Sequence, residues 1–421
     1  MLTVAHTRHP VDTDVDISSI AFWSQPFEER DHRFATLRRT APVSWHPPLE
    51  TPHLAKRHRE AGFWAITTAA DISAVSRDHA RFSSELGQVG LRPTPFRLEP
   101  NMLVTDPPHH ALSRGPLAAA LAPAALRRRA PRIERTVRQA VMQAAVHHEF
   151  DLVPTLAARV PARVLGLLLG VPASEAAAFE VAVDVFACGS VPAGMTDEAA
   201  VQDWMAGRAA YLSDLFAALL RYRRTTPSDD LVTLLAQQEG AGGPDGARGL
   251  VSTLLLLVSA GHDTMKQLIT LSVLALHRDE EQRRWLLDDF AGRFDVAFDE
   301  LVRYSSPILS FARTATGDTV LGGKEIAAGD KVALLYCSGN RDETRFPDPA
   351  RLRLDRHGAR HVAFGGGGVH FCLGSALARL ELRALLEAFL TRLPHAELGE
   401  PVLPFNDAVH RVDSLPVRRL G

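Results

Sequence analysis

The sequence predicts a mainly α chain with small β-sheets. Three observations carry that prediction. Most of residues 130–305 reads as helix, with turn residues only between segments. Short runs rich in β-branched and aromatic residues are confined to residues 42–67 and 311–336. Residues 250–278 form the longest helical candidate, roughly 40 Å at 1.5 Å per residue. Its first third is apolar nearly all round, as in a helix buried at the centre of a fold.

Taken in order, residues 1–20 read as a flexible tail and residues 21–421 as a single domain. Residues 28–39 read as a helix with Phe34 and Leu37 inward. Residues 42–45 and 62–67 follow as a hairpin, and then a short helix, 72–76, capped by Asp71. Residues 82–104 are rich in Gly, Pro and Ser and read as a long loop of the kind that binds ligands. Further helices are expected at 130–145 and 160–169. A longer helical stretch, 179–224, is broken near Gly189–Gly194, and Ser174 is a possible cap before it. Ser228-Asp229-Asp230 opens another helix. After the helix that holds Asp299 to Arg303, Pro307 ends the helical region. Strands are expected at 311–315, 319–321 and 331–336.

The chain has 421 residues, 46% of them hydrophobic, which suffices for a large core. Its formal net charge is −2, so no overall basic field argues for nucleic acid. Three cysteines, Cys188, Cys337 and Cys372, are too few for a disulfide framework and suit a reducing compartment. Residues 1–25 are polar and broken by charges, without the apolar core of a signal peptide or anchor. In the central helical run His262, Asp263 and Lys266 interrupt the apolar stretch too early for a membrane span. These features predict a cytoplasmic protein with no membrane contact.

Four constellations carry chemistry. The first is Ala363-Phe364-Gly365-Gly366-Gly367-Gly368-Val369-His370-Phe371-Cys372-Leu373-Gly374. Helix-forming residues follow at once, so Cys372 stands at a helix N-terminus, where unpaired amides and the dipole favour an anion. A thiolate there is stabilised and can ligate a metal. The glycines let a flat, bulky ligand approach the main chain. A lone cysteine is more often a small buried apolar residue. A phosphate cradle is disfavoured, because no Gly-Lys-Ser/Thr follows.

The second is Ala260-Gly261-His262-Asp263-Thr264 in the middle of the central helix. Glycine and alanine offer a flat patch, and an adjacent acid and alcohol can relay protons. The plainer alternative is a bend with Thr264 bonded back to the carbonyl four residues earlier. The third is Asp106-Pro107-Pro108 with His110 and Arg114, four apart on one helix face, able to hold a carboxylate or simply solvated. The fourth is Glu300-Leu301-Val302-Arg303, an ion pair that contributes little on a surface and much more when buried.

In this order the four stretches resemble the cytochrome P-450 haem-thiolate monooxygenases, over roughly residues 21–420. The resemblance implies the fold of that family, with haem b between the long central helix and the cysteine loop. It assigns Cys372 as the axial ligand of the iron, whose thiolate promotes O–O cleavage. It implies that His110, Arg114, Arg313 and His361 hold the haem propionates, with His370 beside the same edge. Ala260, Gly261, Phe364, Gly367 and Gly374 would complete the cofactor site. Asp263 and Thr264 would be the distal acid–alcohol pair that delivers protons. Glu300, Arg303 and Arg351 would form a buried ion network behind the haem. Val258, Ile308, Leu309 and Val409 would line an apolar substrate pocket, with the 86–103 loop. Three departures stand out: one extra residue between Phe364 and Cys372, Met265 where a second Thr is usual, and Arg353 in place of a frequent Asp.

The implied function is insertion of one oxygen atom from O2 into an apolar small molecule, by hydroxylation or epoxidation. The chain shows no nucleotide-binding unit of its own. Electrons would therefore come from a ferredoxin and its reductase, with Arg127, Arg128 and Arg129 as docking candidates or merely a solvated run. Two other readings compete. One is a peroxide-driven or non-inserting haem-thiolate enzyme, against which the Asp263-Thr264 pair argues. The other is a haem-binding sensor without turnover.

Overall fold

The computed structural model describes residues 9–50, 61–87, 89–92, 99–192, 194–238, 244–358 and 360–420. The helix Pro244–Arg278, 35 residues long, is its axis. Around it pack the helices Arg159–Leu169, Ala176–Cys188, Glu198–Thr225, Phe290–Ser305 and Ser375–Arg392. One side of the central helix is dry, with Leu254, Val258, Met265, Leu268 and Ile269 buried. Leu257, Ala260, Gly261 and Thr264, at helical spacing, keep surface on another face. That uncovered face lies mid-helix, where a buried helix would otherwise be sealed.

Helix ends follow local chemistry. Arg159–Leu169 and Ala176–Cys188 both stop at a glycine in the left-handed region, Gly170 and Gly189. Phe290–Ser305 stops at Ser306, also left-handed, just before Pro307. The helix Ala69–Arg77 is capped by Thr68, whose hydroxyl accepts from the Asp71 amide, and not by Asp71 itself. Asp71 answers from the third position, where its carboxylate accepts the Thr68 hydroxyl at 2.7 Å. Ser174 caps nothing, because the next helix starts at Ala176 from an uncapped Glu175.

A five-stranded sheet runs Val43–His46, Phe63–Ile66, Lys331–Leu334, Phe311–Ala315 and Phe82–Ser83 in spatial order. The expected hairpin is its first pair, with Val43 opposite Ile66. Lys331–Leu334 joins it in parallel, with Trp64 beside Val332. Thr319–Leu321 and Lys324–Ile326 form a separate hairpin turned by Gly322 and Gly323. Pro416–Arg419 pairs with both Glu149–Asp151 and Ala396–Leu398, tying the chain's end to its middle.

The tail expected over residues 1–20 needs correction in its second half. Residues 1–8 lie outside the described residues. Residues 9–20 are packed: Ile17 is fully buried in a cluster with Trp23, Phe34 and Leu309. His9 also reaches Asp330 at 2.7 Å, and Asp12 pairs with Lys324. Much of the expected binding loop, residues 88 and 93–98, is outside the described residues too.

Candidate active site

Cys372 ends a loop held by short-range bonds. Its amide donates to the Phe364 carbonyl at 2.9 Å, and the Val362 amide donates to Asn340 Oδ1 at 2.7 Å. The helix Ser375–Arg392 starts from Gly374 without a side-chain cap, so its first amides stay available. Two of them, on Gly374 and Ser375, hydrogen-bond to Cys372. Burial pushes the Cys372 thiol up; those amides and Arg114 pull the other way. The half-buried cysteine thus lies among groups that favour its anion, a setting in which a bound cation completes the deprotonation.

The glycine run also serves a close packing that the sequence did not display. Gly365, Gly367 and Gly368 have φ of 90°, 105° and 76°, outside the range of ordinary side chains. A Cβ at Gly366 would stand 2.6 Å from Ser76 Oγ and 2.7 Å from the Ile72 carbonyl oxygen. One at Gly368 would strike the Ser76 carbonyl oxygen, and one at Gly367 would lie 2.8 Å from Arg77 Nε. The glycines therefore let the loop dock on the helix Ala69–Arg77, backbone against backbone. Gly367 meets the Arg77 guanidinium there. Phe364 stacks on Phe298 at 6.1 Å between centroids and meets Phe371 edge-on, wedging the loop against Phe290–Ser305.

Beside the cysteine stands a set of nitrogen donors; among the described residues two of them are without a partner and none is on a carboxylate. The His110 and His370 rings meet at 4.5 Å, and Nε2 of each is buried without a partner. Burial, then Arg313 and His110, push His370 down to about 3. Burial and Arg114 lower His110 as well. Arg114 donates to the Phe371 carbonyl, and Arg313 to the Ala312 carbonyl. Among the described residues no carboxylate bonds to any of these four side chains. Buried donors in that state call for an anionic acceptor. A ligand that carries carboxylates and presents a metal to Cys372 fits the set.

Among the described residues His361 has no hydrogen bond to these four side chains. Its ring lies 5.4 Å from that of Phe364, and Nδ1 accepts from the Ala363 amide at 3.2 Å. Burial, then Arg303, Arg379 and Arg345, push it down to about 4, so its charged neighbours belong to the other side of the loop.

On the central helix Thr264 and Ala260 share the uncovered face, and Thr264 Oγ1 donates to the Ala260 carbonyl at 2.6 Å. Gly261 has a packing role: a Cβ there would meet Leu165 Cδ2 at 3.3 Å. Asp263 points away from Thr264's face, towards Ala176–Cys188, and Oδ1 accepts from Cys188 Sγ and from Gln267 Nε2, each at 3.3 Å. Cys188, Gln267, Asp184 and Lys266 were not singled out from the sequence. The available signal was spacing: Asp184 and Cys188 are four apart, as are His262, Lys266 and Thr270.

The buried ion network exists, with one partner changed. Glu300 and Arg303 are fully buried and form a two-pronged pair at 2.7 Å on both arms. Arg303 also donates to the carbonyls of Asn340 at 2.8 Å and Pro349 at 2.9 Å. The second guanidinium on Glu300 is Arg356, at 3.1 Å, not Arg351. Arg351 is exposed and lies 3.9 Å from Glu281; only its backbone carbonyl faces Arg303, at 3.4 Å. The Arg353 amide donates to Glu300 at 3.0 Å, so the backbone, not a side chain, fills that position.

The expected pocket residues divide. Ile308 and Val409 face each other across an isolated bridge and keep part of their surface. Val258 and Leu309 are fully buried in separate core clusters and present no free surface to a ligand. Of the three docking candidates, Arg129 is paired with Asp229, and Arg127 and Arg128 are exposed.

A loop cysteine at a helix N-terminus, nitrogen donors without a carboxylate and a threonine on the open face of the central helix are the arrangement that the haem-thiolate resemblance implies. A profile described as Cytochrome P450 matches residues 294–409. Over 410 residues the chain is 34% identical to the methyl-branched lipid omega-hydroxylase of Mycobacterium bovis, covering 96% of this chain and 94% of that one. It is 33% identical to the linalool 8-monooxygenase of Pseudomonas putida, covering 87% and 89%. Its structure is similar to that of a Mycobacterium marinum cytochrome P450 in complex with pseudoionone. The TM-score is 0.90 and the identity 37%, covering 97% and 99%. The chain belongs to the cytochrome P450 family and is a monooxygenase, an oxidoreductase whose family cofactor is haem. Among the described residues no helix is long and apolar enough to cross a membrane.

Proposed function

We propose that the protein holds haem b through Cys372 and inserts one oxygen atom from O2 into an apolar, isoprenoid-like or branched aliphatic molecule. The observation that carries this reading is the pairing of an amide-cradled sulfur with orphaned His110 and His370 nitrogens. His110, Arg114, Arg313 and His370 would hold the two propionates by charge-assisted bonds. Bound there, haem supplies the oxygen-activating redox chemistry that side chains lack.

The chain's own residues supply protons and exclude water. Thr264 presents a hydroxyl on the uncovered face, and Asp263 beside it carries protons from outside. Leu257, Ala260, Ile308 and Val409 offer apolar surface to the substrate. The substrate class is supported by three similar proteins, named for a methyl-branched lipid, for linalool and for bound pseudoionone. Electrons come from a ferredoxin and its reductase. The three cysteines, all free, are consistent with a reducing cytoplasm.

The test is optical. Reduced protein treated with carbon monoxide shows the long-wavelength Soret band of thiolate ligation, and Cys372→Ser loses it. Turnover of branched isoprenoids with a surrogate ferredoxin pair completes the test. Activity with peroxide but none with ferredoxin would favour the peroxide-driven reading.

A further inference from the structure

Beyond the acid–alcohol pair, four polar side chains, Cys188, His262, Lys266 and Gln267, are buried where Ala176–Cys188 crosses the central helix, with Asp184 half-buried beside them. Asp184 Oδ1 accepts from Lys266 Nζ and lies against His262 Nε2, each at 2.9 Å. Those two partners hold the Asp184 carboxyl below the usual carboxylate range although burial opposes them. The ligand atoms of Asp184, Cys188 and His262 lie within 4.8 Å of one another, but the Lys266 ammonium already occupies the cation's place. The cluster is therefore an ion pair, and among the described residues no cation hydrogen-bonds to Asp263, although Lys266 and Arg411 lie near enough to act on its charge.

Asp263 has two neutral donors instead. Cys188 and Gln267 both reach Oδ1, and among the described residues none donates to Oδ2. Burial and the Asp263 charge push the Cys188 thiol up, so it keeps its proton and donates. Both donors are anchored by one segment. Arg411 Nη1 donates to the Cys188 carbonyl at 2.7 Å, and its Nε to Asp413 at 2.6 Å. The Val412 amide donates to Gln267 Oε1 at 2.9 Å. Two residues upstream, Val409 lies against Ile308.

We propose that Cys188 and Gln267 are positioning residues for Asp263, held by Arg411 and Val412 of the segment that also lines the substrate side. By occupying Oδ1 they fix the carboxylate's rotation and leave Oδ2 as the oxygen that takes up and releases protons. This inference rests on the reading of Asp263 as the proton carrier. A neutral cradle suits that task, because a fixed cation at Oδ1 would hold the carboxylate in its charged form. It also links proton delivery to the segment a substrate touches.

The test uses haem-loaded protein with the surrogate ferredoxin pair. Product per electron and the solvent isotope effect are read in Asp263→Asn, Cys188→Ala, Cys188→Ser and Arg411→Gln. Cys188→Ala is expected to lower product per electron several-fold, release hydrogen peroxide and change the isotope effect. Cys188→Ser restores most of the loss, since a hydroxyl still donates. Arg411→Gln, away from the core, gives a smaller loss in the same direction and decides the matter if Cys188→Ala does not fold. Equal impairment in the Ala and Ser variants would mean packing alone and overturn the proposal. So would parental coupling in Cys188→Ala and Arg411→Gln while Asp263→Asn is impaired. Parental coupling in Asp263→Asn would overturn the proton-carrier reading itself.

Discussion

Thr264 donates its hydroxyl to the carbonyl oxygen of Ala260, one turn back on the central helix. The helix bond to that carbonyl is thereby supplemented by a side chain that also faces the site. Such back-bonding bends helices slightly and holds the hydroxyl in one rotamer. Both the structural alternative and the proton-handling role use the same oxygen atom, so substitution separates them.

Thr264→Ala removes the hydroxyl and keeps the helix. Electron consumption is expected to continue while product per electron drops about a hundredfold, at the low end of acid–base contributions. The unfolding midpoint should hardly move, because Ala is favoured over Thr in a helix by roughly 0.5 kcal/mol. Peroxide and product assays on one reaction mixture check this. Product per electron at the parental value would remove Thr264 from the chemistry.

Glu300 is the hub of the buried network, touched by Arg303, Arg356 and the Arg353 amide. Glu300→Gln strands buried guanidinium charge and should cost about 3–5 kcal/mol. Arg351→Ala, at an exposed side chain, should stay within about 0.5 kcal/mol. Denaturant unfolding of both variants gives the order. A larger loss at Arg351 would restore it as the network partner.

Acid should destabilise the fold through its buried histidines. Burial holds His46 at about 4, against an ordinary 6.5, in contact with Ser44 and stacked on Phe63. A depressed histidine is neutral when folded, so the unfolded chain binds the extra proton. The contribution is complete above pH 6.5 and is lost as pH falls towards 4. His46→Asn should flatten that slope by about 2–3 kcal/mol across the window. His361 and His410, also near 4, keep the remainder. Unfolding midpoints read across the window test the assignment.

Gly368→Ala forces a methyl group into the Ser76 carbonyl at a φ of 76°. The cysteine loop must lift from the helix Ala69–Arg77, and haem content should fall along with stability. Gly207→Ala, in the helix Glu198–Thr225 with open space around it, should instead stabilise by roughly 0.5–1 kcal/mol. Haem-to-protein absorbance ratios read the difference. Full haem content in Gly368→Ala would show that the docking does not hold the loop.

Much of this was legible before any coordinates. The central helix, the cysteine at a helix start and the Glu300–Arg303 pair all rest on local spacing, which a sequence displays directly. The strand Ala396–Leu398 escaped because pairing rather than propensity makes it one. Arg356 escaped because irregular coil has no periodicity that says which arginine turns inward. The glycine run was visible, but its partner was not: residues 69–77 lie some three hundred positions away. Asp263's donors come from another helix and from further along its own, and only packing brings Cys188 to it.

The docking of Gly366 and Gly368 on residues 72–76 also orders events during synthesis. His110 and Arg114 leave the ribosome early, whereas Cys372 emerges late in a chain of 421 residues. On the proposed reading the group is held from both sides, by Cys372 and by the His110–Arg114 set, so neither half would clasp it alone. Loading must therefore wait until translation is nearly finished. A nascent chain stalled before Cys372 would be pigment-free, with its donors exposed to quality control.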